Sequence, residues 1–93
     1  MKELLLTTLH FAVSFVPGSF KSFAVTLLEA FQRSGWLEDD ERWSEAAAVV
    51  TKWLKDVQVA YALRDRKLTN AARLAAEVAA TRELSRLGLL KAV

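Results

Sequence analysis

The chain has no cysteine, one histidine, one proline and three glycines in its 93 residues. The missing cysteine excludes disulfides, thiolate nucleophiles and cysteine-based zinc sites. It suits a reducing compartment, and a cytoplasmic location is the expectation. His10 stands alone, with Ser14 one helical turn on, so a general base with its partner carboxylate cannot be assembled from an evident motif. The expected role for His10 is a hydrogen-bonded residue at a helix interface. Gly18, Gly35 and Gly88 are scattered, which leaves no G-x-G-x-x-G and no phosphate loop. The run Glu38-Asp39-Asp40-Glu41 lacks the spaced carboxylates of a calcium loop and reads as a helix-capping cluster. No catalytic, cofactor-binding or metal-binding residue is assigned, and an enzyme is not expected.

Long apolar runs are also scarce. The most apolar stretch, Leu4 to Val16, is interrupted by Thr7, Thr8, His10 and Ser14. It falls short of the roughly 20 residues that a spanning helix needs. A nearly neutral start and the lack of a small-residue cleavage site argue against a signal peptide. The stretch also lacks the Lys/Arg-rich polar face of an interfacial helix, so a membrane is not among the expected partners.

What the chain does have is apolar content, 53% of residues, dominated by Leu and Ala. That is too much for a disordered segment, and 93 residues form a single domain spanning 1–93. A core of this size is thin, so helix packing between copies is expected to complete it. Charge is unevenly spread. Residues 1–50 carry four bases against seven acids, and residues 51–93 carry nine bases against four acids.

Apolar spacing predicts an all-α fold. Helix one runs from Lys2 to Phe15, with Thr7, His10 and Ser14 as its only polar stripe, so its other faces are expected to be surrounded by protein. Val16-Pro17-Gly18-Ser19 suits a type II turn, after which Ser19 can cap helix two over Phe20 to Arg33. Gly35 fits a left-handed helix end that brings Trp36 near Phe31. Asp39 or Asp40 can cap the third element.

From Trp36 to Leu87 there is neither glycine nor proline. Trp43, Ala47, Val50, Leu54, Val57 and Tyr61, then Leu68, Ala71, Ala75 and Val78, recur at alternating steps of three and four. This is heptad spacing, interrupted by Arg64. Unbroken phase favours one long helix from about Asp40 to Leu87, roughly 70 Å in length. The alternative breaks near Arg66–Asn70, with Thr69 or Asn70 as the new cap and four helices in all. Gly88 is expected to end the last helix.

The expected architecture is therefore an N-terminal helical hairpin packed on a long or broken C-terminal helix, assembled as a homo-oligomer, most simply a dimer. All nine aromatics lie at or before Tyr61, so the rear half offers a slim alanine-rich surface. The expected function is a non-catalytic protein–protein interaction module: a small adaptor, regulator or inhibitor acting on itself and on another protein. Its candidate contact residues are Trp36, Trp43, Trp53, Ala71, Ala75 and Val78, because tryptophan concentrates energy at interfaces and alanine allows close approach. The alternative is a nucleic-acid-associated helical subunit, using a basic patch of Arg64, Arg66, Lys67 and Arg73 on phosphates.

Overall fold

A computed structural model describes residues 2–36 and 38–90. Among these residues the elements are four helices: α1 Lys2–Phe15, α2 Gly18–Arg33, α3 Asp40–Ala62 and α4 Arg66–Arg86. The all-α expectation holds, and so does the N-terminal hairpin. Pro17 stands at the N-cap of α2 and makes no side-chain capping bond. Its carbonyl accepts the Phe20 amide at 2.8 Å, so the helix opens at Gly18. This corrects the reading of Ser19 as the cap. Ser19 is already the second residue of the helix, and Gly18 does not take the positive φ of a type II turn, so that turn does not form either.

Gly35 is not the left-handed helix end either. Ser34 closes α2 in an extended conformation, and positive φ occurs only at Arg64 and Gly88 among the described residues. Gly88 does end α4 in the expected way. Its amide donates to the Ser85 carbonyl and the Leu89 amide to that of Leu84, both at 2.9 Å, a Schellman pair at φ +85°. At the start of α3 the Asp39 carboxylate accepts the Arg42 amide at 3.0 Å, one of the two caps anticipated there.

The single long helix is not formed. α3 ends at Ala62, and Arg64 turns the chain at φ +54° without glycine. Three local bonds make the reversal. The Asp65 carboxylate caps α4 by accepting the Leu68 amide at 3.0 Å, so neither Thr69 nor Asn70 is the cap. Thr69 instead donates its hydroxyl to the Ala60 carbonyl at 3.0 Å, in the last turn of α3. The Leu63 amide donates to the same carbonyl at 3.3 Å. Unbroken heptad phase lost to packing: the reversal lays α4 along α3, where Ala76, Ala80 and Leu84 join the same core cluster as Val50, Trp53 and Val57.

The core runs along α3. Its buried residues are Trp43, Ala46, Val50, Trp53, Val57 and Ala60, stepping by three and four. Half of the expected seam is right, at positions 43, 50 and 57. The other half lies one residue earlier, at 46, 53 and 60 rather than 47, 54 and 61. From α2, Phe31 packs on Trp43 with ring centroids 5.8 Å apart, and Phe23 packs on Trp53 at 5.2 Å. α1 contributes Leu5 and Leu9, and α4 contributes Ala76, Ala80 and Leu84. The hairpin thus wraps one side of α3 and α4 lies along the other.

Candidate interaction surface

α4 uses its face opposite the core for apolar residues. The buried line is Ala76, Ala80 and Leu84, with Ala72 half-buried beside it. At about 100° per residue, Ala71, Leu74, Ala75 and Val78 point away from that line. All four are exposed, Leu74 by 52% and Val78 by 54%. Between Lys67 and Arg82 the helix has two charged residues, Arg73 and Glu77. Neither sits on the outward face. They are turned toward the flank of the core, with side chains 22% and 17% exposed, and they pair at 3.0 Å. An ordinary surface helix reverses this arrangement, with charge outward and apolar residues inward.

A cleft of about 610 Å³ continues this face toward α2. Phe23, Leu74 and Val78 are its apolar lining, and Arg82 and Arg86 stand among its polar residues. A second groove, of about 550 Å³, separates α1 from α3 and is lined by Phe11, Phe15, Leu54, Val57 and Tyr61 among others. α1 is therefore not surrounded by protein as its sequence implied. Only Leu5, Leu9 and Ala12 are buried, while Leu4, Phe11 and Phe15 are exposed. The reason is that α1 packs on α2 and α3 from one side and no described element covers the other. His10 and Ser14 share that uncovered side, so His10 is exposed and not an interface histidine.

The interface candidates singled out in the sequence separate into three groups. Trp43 and Trp53 are each 1% exposed and belong to the chain's own core, so they present no surface to a partner. The Trp43 Nε1 donates to the Trp36 carbonyl, whereas the Trp53 Nε1 is buried with no partner among the described residues. Trp36 is half-buried: it meets Trp43 edge-on at 5.1 Å and carries the Arg42 guanidinium 5.0 Å above its ring. Ala71, Ala75 and Val78 do lie together on the outward face of α4. The basic patch divides. Arg64, Arg66 and Lys67 are exposed at the α3–α4 corner, but Arg73 lies two turns on, half-buried and neutralised by Glu77. The acidic run at Glu38–Glu41 is exposed, and Asp39 within it pairs with Arg42 at 3.4 Å. Among the described residues no group of His, Asp or Glu is placed to hold a metal ion, and no helix is long and apolar enough to cross a membrane.

Sequence reasoning missed Leu74, Phe11 and Phe15. The readable signal for Leu74 was the position of Arg73 and Glu77, which share the side of α4 with Ala76 and Ala80. No protein-family model matches this chain, and neither does any curated protein or solved structure.

Proposed function

We propose that this protein is a non-enzymatic helical interaction module, a small adaptor or regulator, that self-associates through the outward face of α4. One observation carries the reading. Leu74 and Val78 are more than half exposed on a face that carries no charge between Lys67 and Arg82, while the charged pair of that stretch is turned inward. Apolar patches of this kind on small proteins mark contact surfaces. Ala71 and Ala75 beside them let a second helix approach closely. A second copy is the simplest partner, since it is present at the concentration of the protein itself.

Size exclusion with light scattering tests the proposal. The wild type is expected to elute as a dimer or higher oligomer. Leu74→Glu with Val78→Glu is expected to elute as a monomer with unchanged helical circular dichroism, because both side chains lie outside the core. A wild type that stays monomeric at high micromolar concentration overturns the proposal. The nucleic-acid alternative is the weaker reading, because pairing with Glu77 removes Arg73 from the patch.

A further inference from the structure

One end of the bundle gathers uncovered apolar side chains and free cations from all four helices. Phe11 and Phe15 near the end of α1 are 62% and 75% exposed and stack at 5.4 Å. Tyr61 at the end of α3 lines the same groove as these rings and is 65% exposed. Leu63 follows it, also exposed. Pro17 leads from this groove directly into α2, whose first turn carries Lys21. Thr69 ties the first turn of α4 to the last turn of α3, which brings Arg64, Arg66 and Lys67 to the same end.

The electrostatics there are one-sided. Lys21, Arg64, Arg66 and Lys67 are exposed, and none takes part in a salt bridge among the described residues. Asp65 is the carboxylate in their midst, and it is engaged as the α4 cap. Glu38–Glu41 and Glu45 lie at the opposite end of α3, whose 23 residues span roughly 35 Å. The outer face of α1 is further muted by Thr7 and Thr8, whose hydroxyls donate back to the Glu3 and Leu4 carbonyls at 2.9 Å.

We infer that this end docks on an anionic lipid bilayer, with Phe11, Phe15, Tyr61 and Leu63 in the boundary between headgroups and acyl chains and the four cations on the lipid phosphates. The one Lys or Arg of α1, Lys2, lies at the opposite end of the bundle over the Trp43 ring, so the α3–α4 corner and α2 supply the cations here. Aromatic rings settle at that boundary, and a basic cluster is drawn to an anionic leaflet. The acidic end points into water, so charge and apolar surface favour the same orientation. A nucleic-acid duplex meets the cations equally well but offers no apolar layer for Leu63 and the phenylalanines. The inference does not use Leu74 or Val78, so it stands or falls separately from self-association through α4.

The test is co-sedimentation of the full chain with vesicles of phosphatidylcholine and phosphatidylserine, beside vesicles of phosphatidylcholine alone. The chain is expected to sediment with the anionic vesicles only, and less as salt rises. Each cation contributes about fivefold, so Arg64→Gln, Arg66→Gln and Lys67→Gln together are expected to weaken binding on the order of a hundredfold. Phe15→Ser is expected to weaken it on the order of tenfold. All four side chains are exposed, and unchanged circular dichroism confirms that each variant is folded. Failure to sediment with anionic vesicles at low salt overturns the inference, as does undiminished binding by the triple variant. Retention of a duplex oligonucleotide by a chain that ignores the vesicles also overturns it and assigns this end to nucleic acid.

Discussion

Along α3, Trp43 and Trp53 turn inward against Phe31 and Phe23; along α4, Leu74 and Val78 turn outward, and Leu84 is the one large apolar side chain that is fully buried. The two helices lie side by side and are similar in length, at 23 and 21 residues. They differ in what each contributes to the fold. α3 is the axis of an aromatic core that the chain completes by itself. α4 covers one side of that core largely with alanine methyl groups and directs its bulk away from it. A helix can therefore be held in place by small residues on one side while its larger side chains serve another contact.

The contrast yields predictions of decreasing size. Trp43→Ala is expected to have the largest effect. It removes a buried indole that packs on Phe31 and Trp36 and whose Nε1 donates to the Trp36 carbonyl. The expected loss is about 3–5 kcal/mol, a large part of the stability of a domain this size. Urea denaturation followed by circular dichroism measures it. A loss no greater than that of an exposed α4 substitution erases the difference between the two regions.

A smaller effect, of opposite sign, is expected at the corner where the regions join. Arg64 adopts φ +54°, which a side chain with a Cβ resists and glycine accepts. Arg64→Gly is expected to stabilise the fold by about 0.5–1 kcal/mol after allowance for the looser unfolded chain. Thermal unfolding of the variant checks the sign. A destabilised variant would mean that the Arg64 side chain itself supports the reversal.

Much of the fold was legible in the sequence because it follows from local chemistry. The bounds of α1, the Asp39 cap and the glycine stop at position 88 depend on a few adjacent residues, and the structure has them where the spacing placed them. The reversal at Arg64 was less legible. It depends on Thr69 reaching the Ala60 carbonyl nine residues back and on α4 packing along α3, which periodicity does not encode. The same limit explains the candidate site. A heptad seam continued in phase through a chain reversal names residues that face away from the partner helix, which is why Ala71, Ala75 and Val78 lie on the outer face. Trp43 and Trp53 have the residue type of an interface anchor, and only the packing of α2 shows that this chain buries them itself.

If the outward face of α4 belongs to an interface between copies, the melting temperature depends on protein concentration. Association that occurs only in the folded state raises the melting temperature as concentration rises. The wild type is expected to show that rise, and Leu74→Glu with Val78→Glu is expected to melt at one temperature throughout. A wild type whose melting temperature does not move across the accessible concentration range would contradict the account.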